Sequence, residues 1–320
     1  MSMWSLCNET YSAKDQRTVF VETLQSLMDE NPRVVALEAD LGGASGFNKI
    51  KKSHPNNFVQ VGIAEANMLG VAAGMSMRGF IPFVHTFAPF VTRRACDQLF
   101  LAGAYSHNTI NIYASDPGVC AATNGGTHTT MEDLGFMRAL PNALVFDPAD
   151  GVQLGWLIRE LVQLKGIHYI RTNRKDMRPI YSPGSTFEIG KGNVLVQGSD
   201  VLLIAMGELV GEALDAAKAL KEQGIEAEVI DMFTVKPLDR ELILQEAMGK
   251  KLVVTCENHS VINGLGSAVA DVLAEEAVPV RFRKVGVNDQ FGQVGSLRYL
   301  KEAYGLTANH IVQVVMDNLK

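Results

Sequence analysis

Glu65 is the residue with the most chemistry to offer. It stands in the stretch 59–70 (VQVGIAEANMLG), at the first turn of a predicted helix directly after an apolar strand. The helix dipole at that place favours a negative charge, while burial favours the protonated acid. A carboxyl held between these influences is suited to sharing a proton with a ring nitrogen. A glutamate at a helix start also serves simply as a partner of the dipole, and the residue alone does not decide. Ala66, Gly70, Ala73 and Gly74 then line one side of the helix. Each interior glycine costs about 1 kcal/mol against alanine. That cost is borne where another backbone comes close, or in a packing seam inside one domain. Phe87 and Phe90 lie just past the end of the next strand and offer a flat slot for a heteroaromatic ring, where stacking adds about 1 kcal/mol beyond burial. A long polar loop, 115–129, carries Ser115, Asn124 and His128. Long loops at such a place are usually functional.

The elements that position these residues follow from hydrophobic periodicity. A helix is predicted over 16–27 and strands over 33–38, 58–61, 80–84, 109–114, 144–146 and 168–171. Helices over 65–77, 89–102 and 152–164 separate them. Apolar strands alternating with helices imply a mostly parallel sheet covered on both faces, with ligands gathering at the carboxyl ends of the strands. A turn-rich stretch over 173–197 reads as a linker. Beyond it the alternation resumes, with strands over 201–205, 227–230, 252–256 and 280–284 and helices over 212–222, 239–247 and 268–274. The fold class is therefore α/β, in two domains.

The 320 residues suffice for two cores, and 47% apolar with 20% charged residues is the balance of a soluble globular chain. The net charge of −6 and the scatter of Lys and Arg indicate neither a nucleic-acid nor an anionic membrane surface. No leader segment or membrane span is apparent, which makes the cytoplasm the expected location. Cys7, Cys96, Cys120 and Cys256 are scattered and are read as thiols, without a metal site. Gly264–Val269 lacks the third glycine of a dinucleotide fingerprint, Gly42–Gly46 lacks the Lys of a phosphate loop, and no G-x-S-x-G elbow exists.

Taken in order, ADL at 39–41, GIAEANM at 62–68, TFAPF at 86–90 and GTH at 126–128 resemble the pyrimidine-binding domain of transketolase and deoxyxylulose phosphate synthase. ENHSVINGLG at 257–266 is similar to the family's C-terminal domain. The resemblance places the first domain at 10–178, a linker at 179–193 and the second domain at 194–320. It implies that Glu65 contacts the ring nitrogen of the aminopyrimidine of thiamine diphosphate and favours the imino form that takes the thiazolium proton. Phe90 would stack on that ring with Phe87 beside it, and Asp40 would lie near the thiazolium. His128 would face substrate hydroxyls. The family holds magnesium and the diphosphate through Gly-Asp-Gly and a later Asn on an N-terminal domain. This sequence has no Gly-Asp dipeptide. The resemblance thus implies a separate N-terminal transketolase subunit, with two copies of each chain.

Two departures bear on substrate. Asn124 replaces the aspartate of the family's Asp-Gly-Pro-Thr-His, and Ser115 is read as replacing a phosphate-binding histidine. Arg93 takes a tyrosine position. Arg171 or Arg174 would bind the anionic end of a sugar phosphate or related ketose, because a planar guanidinium suits phosphate and sulfonate. The competing readings are the beta subunit of a 2-oxo acid dehydrogenase and a non-catalytic partner that keeps the fold.

Overall fold

The computed structural model describes residues 3–7, 14–174 and 177–319, so the domain start expected at residue 10 lies outside the described residues. Six of the seven strands of the first sheet come from the first domain: β1 (Val34–Glu38), β2 (Phe58–Gln60), β3 (Ile81–Phe87), β4 (Ile110–Ser115), β5 (Ala143–Phe146) and β6 (Ile167–Thr172). They lie in the order β5-β6-β4-β3-β1-β2 and all pair in parallel. β1, β4 and β6 are buried along their whole length, as strands covered on both faces must be. One apolar cluster holds Phe20, Leu24, Phe83 and Tyr113. A second, on the other face, holds Met68, Leu69, Val84 and Ile112.

The second sheet uses β7 (Asn193–Val196), β8 (Val201–Ala205), β9 (Ala227–Asp231), β11 (Leu252–Ser260) and β12 (Arg281–Val287), in the order β12-β11-β8-β9-β7 with only β7 antiparallel. The remaining strand, β10 (Thr234–Lys236), follows β9 in the chain but pairs antiparallel with β5 of the first sheet, as its seventh strand. The two sheets are thereby laced together. Both apolar clusters also run on into the second sheet, through Leu203 in one and Leu202 in the other. The segment expected to be a plain linker is also tied in. Tyr181 is fully buried and its hydroxyl donates to Asp231 at 2.5 Å. Among the described residues, no helix is long and apolar enough to cross a membrane.

The helix Glu65–Met77 leaves Gly70 and Gly74 exposed. A Cβ added at either would meet nothing within 4 Å, so the two glycines pack against nothing in this chain, whereas Ala73 is buried in the core. The helix expected over 89–102 is instead a π-helical turn Phe90–Arg94, a short helix Cys96–Gln98 and a second π-helical stretch Leu99–Tyr105. Such widened turns recur at functional sites.

Arg171 joins the two domains. Its guanidinium, fully buried near the end of β6, donates from Nε to Asp133 at 2.8 Å and from Nη1 to Asp147 at 2.5 Å. Nη2 donates to the Asn258 carbonyl of β11 at 2.8 Å. Burial pushes the Asp147 carboxyl up to about 6 against the opposing pull of Arg171. No face of the guanidinium is left for a substrate, which corrects its expected place among the substrate arginines. Removing it strands two buried carboxylates. Arg171→Met should therefore destabilise the chain by about 3–5 kcal/mol in denaturant unfolding. An unchanged midpoint would show that the network contributes nothing net.

Candidate functional site

The carboxyl ends of β1, β3, β4 and β6 form one rim, and the chemistry-bearing residues collect there. β1 ends on Glu38, a fully buried carboxylate that accepts from the Ala39 and Leu41 backbone at 3.1 and 3.2 Å and from Ser45 Oγ at 2.6 Å. These contacts shape the turn that carries Asp40, an exposed residue in the left-handed region (φ 61°). Gln60 Oε1 accepts from both Asp40 N at 2.9 Å and Gly62 N at 3.0 Å. It thereby ties the Asp40 turn to the one that delivers Glu65.

Glu65 opens its helix at 2% exposure. Oε1 accepts from Arg94 Nη1 at 2.7 Å and faces Thr86 Oγ1 at 3.5 Å. Oε2 is buried and has no hydrogen-bond partner. The Arg94 guanidinium lies 4.2 Å above the Phe90 ring, so it spans the carboxylate and the aromatic face together. Phe87, Phe90 and His128 form a mutual edge-on cluster with ring centroids 5.3–5.8 Å apart. His128 Nδ1 is fixed by Thr127 Oγ1 at 2.9 Å. Asn124 is exposed at the end of the stretch Gly118–Asn124.

Ser115 is placed otherwise than expected. It is fully buried, and its hydroxyl pairs with His85 Nε2 at 2.9 Å while His85 Nδ1 meets Glu38 at 3.0 Å. This interior chain sets the heights of three strand ends and presents no hydroxyl to a substrate, a correction to its expected role. The neighbouring Asp116 is the residue turned toward the rim, where it pairs with Arg174 at 2.5 Å. Arg174 keeps 22% of its side chain exposed and lies 4.8 Å over the Phe87 ring. Of the two arginines left open by the sequence, Arg174 is the one at the site. Arg93 does not enter it; it donates to Thr129 O at 3.1 Å and faces Glu132 at 3.3 Å, bracing the loop.

The second domain holds that loop in place. Asn258 Oδ1 accepts from Val119 N at 2.9 Å, and Ser260 N donates to Met131 O at 2.9 Å. A Cβ at Gly118 would come within 2.1 Å of Asn258 Oδ1, so only glycine fits there. Glu257, pushed up to about 7 by burial, accepts from Leu265 N at 2.7 Å and Gly266 N at 2.9 Å. The 257–266 motif is thus a brace, with Glu257 capping a helix start. Arg94, Asp116 and Asn258 were not singled out from sequence. For Arg94 the spacing of four from Phe90 was the available signal.

An aminopyrimidine ring fits this arrangement. Its protonated ring nitrogen would satisfy the orphaned Glu65 Oε2, and its flat face would lie against Phe90. The site is that of a thiamine diphosphate enzyme built on a two-domain α/β frame. The family models for the transketolase pyrimidine-binding domain and C-terminal domain match residues 12–179 and 190–311. The chain belongs to the transketolase family. It is 46% identical over 301 residues to the 6-deoxy-6-sulfo-D-fructose transketolase subunit SqwH of Clostridium sp. (strain MSTE9), covering 94% of this chain and 93% of that one. It is 35% identical to human transketolase, covering 93% of this chain but 48% of that protein. A solved split gene transketolase, described as an inactive beta4 tetramer, superposes with a TM-score of 0.87 at 41% identity over 96% of this chain and 99% of that one.

Glu65 is buried, whereas Arg94 is about half exposed. Truncating the arginine leaves an unpaired interior carboxylate. Arg94→Ala should cost the isolated chain about 1–3 kcal/mol in denaturant unfolding, with Arg94→Lys recovering part of it. A variant as stable as the parent would mean that water satisfies Glu65 equally well.

Proposed function

We propose that this chain is the C-terminal-half subunit of a split transketolase, moving a two-carbon ketol unit from an anionic ketose to an aldose. The observation that carries the reading is Glu65 Oε2, buried and without a partner beside the Phe87–Phe90 pair. Thiamine diphosphate, when bound, supplies the electron sink for the transferred carbon unit. Glu65 then holds a proton at the ring nitrogen through Oε2. Phe90 and Phe87 orient the ring, and Asp40 stands at the rim on the partner side. His128 and Asn124 hydrogen-bond donor hydroxyls, and Arg174 receives the anionic end.

Magnesium and the diphosphate are assigned to a separate N-terminal subunit carrying Gly-Asp-Gly and a later Asn. Two copies of each chain would make a cytoplasmic heterotetramer. The exposed seam of Gly70 and Gly74, with Ile63 and Met77 about three quarters exposed beside it, supports a close-packed partner there. The name of the tetrameric relative supports it too, since that assembly of one chain type is called inactive. A 2-oxo acid dehydrogenase would need fewer hydrogen-bonding groups than the 115–129 loop offers. A non-catalytic partner would have no use for Glu65.

Mass spectrometry of the reconstituted enzyme, fed ketose phosphates, sulfonated ketoses and 2-oxo acids with an aldose acceptor, should show ketol transfer. Glu65→Gln should lower turnover by at least about 10²-fold with assembly retained. Carbon dioxide release from pyruvate without ketol transfer would overturn the reading.

A further inference from the structure

The face of Phe90 that is turned to Glu65 is already covered, and the group on it is Arg94. The guanidinium lies 4.2 Å from the Phe90 ring centroid while its Nη1 donates to Glu65 Oε1 at 2.7 Å. It stands between the carboxylate and the ring as a flat group, offering an in-plane N–H to one and a face to the other. An aminopyrimidine seated on the same two residues makes the same two contacts. Stacked rings keep their centroids about 4.5–7 Å apart, so the layer above Phe90 that such a ring needs is the layer the guanidinium fills. Glu65 Oε2 is free to accept from a ring nitrogen, but the stacking face is not free to receive the ring.

The same contacts show why an arginine rests there and how it can leave. Glu65 is 2% exposed, and among the described residues Arg94 is the cation that pairs with it. A buried carboxylate deprived of its cation costs stability, so the isolated chain gains from the pairing. Yet Arg94 keeps 47% of its side chain exposed and stands last in the π-helical turn Phe90–Arg94, ahead of the irregular Ala95 (φ −122°, ψ 17°). Rotation of its long stem carries the guanidinium off the ring and into water without moving the core. Oε1 then keeps Thr86 Oγ1, fully buried and 3.5 Å away, and Oε2 takes the ring nitrogen. Arg93, one residue earlier, is spent on Thr129 and Glu132 and takes no part.

We propose that Arg94 is a placeholder that occupies the aminopyrimidine seat of the isolated chain and is displaced from Phe90 when the cofactor ring stacks there. The inference rests on the thiamine diphosphate reading of Glu65, Phe87 and Phe90 and deepens it. The affinity for the cofactor is reduced by the fraction of molecules in which the seat is taken. The stability lost by the isolated Arg94→Ala chain and the affinity it gains are two sides of one competition.

The test is calorimetric titration of thiamine diphosphate, with magnesium in excess, into the assembly reconstituted with the parent, Arg94→Ala or Arg94→Lys chain. Alanine clears the seat, and binding should tighten by about tenfold or more. Lysine keeps the charge but is a point donor on a flexible stem and does not cover the ring as a flat guanidinium does, so its affinity should fall between the other two. An unchanged or weaker affinity in Arg94→Ala overturns the proposal, because an arginine that stays beside the bound ring helps to hold it. A lysine variant no tighter than the parent assigns the effect to charge alone and overturns the role of the covered face. A crystal structure of the parent assembly with the cofactor bound needs no variant: the guanidinium should lie off the Phe90 ring, and a guanidinium still stacked on it overturns the proposal. Failure of the parent and both variants to bind the cofactor in the assembly overturns the thiamine diphosphate reading itself.

Discussion

A guanidinium buried between two domains must find partners for its donors on every side, and Arg171 does so with groups from three other segments, so that it ties four together. Asp133 starts the helix that follows the polar loop, Asp147 follows β5, Asn258 belongs to β11, and Arg171 itself lies in β6. Fixing these four fixes what lies between them. The loop from Asp116 to Thr130 is pinned at its start by Thr172 and, three residues on at Val119, by the Asn258 side chain. His259 adds a contact, accepting from Leu134 N at 3.2 Å, and burial lowers its imidazole to about 4, so it stays neutral near pH 7. The second domain thus acts as a clamp on the part of the first domain that carries His128 and Asn124.

The strand–helix alternation was legible because buried parallel strands read as apolar runs and helices as a 3.6-residue pattern. β10 was not, since three residues cannot display a period, and its partner β5 lies some ninety residues earlier in the chain. β7 straddles the expected boundary between linker and second domain at 193–194, inside a turn-rich stretch where four residues show no period. The π-helical turn Phe90–Arg94 is five residues long, too short for its wider repeat to show in the sequence.

The site was legible where a residue type is costly without a purpose, as at Glu65, or where several residues recur in order, as at Phe87, Phe90 and His128. It was illegible where direction decides. β4 and β6 are buried on both faces, so alternation does not say which way Ser115 or Arg171 points. Ser115 turns to His85 and Arg171 to Asp133 and Asp147, while Asp116 and Arg174, just past the strand ends, turn to the rim. One residue separates the interior position from the rim position at the end of β4, and three at the end of β6.

The central claim is that the chain carries the ring-binding and acid–base half of a cofactor site whose phosphate-binding half belongs to another polypeptide. Calorimetric titration of thiamine diphosphate with magnesium into the isolated chain, and then into the chain with its partner, tests it most directly. Glu65, Phe87 and Phe90 offer one hydrogen bond and a stacking surface, with no group assigned here to the diphosphate. The account predicts weak binding by the isolated chain and tight binding once the partner is added. Micromolar or tighter binding by the isolated chain would contradict it.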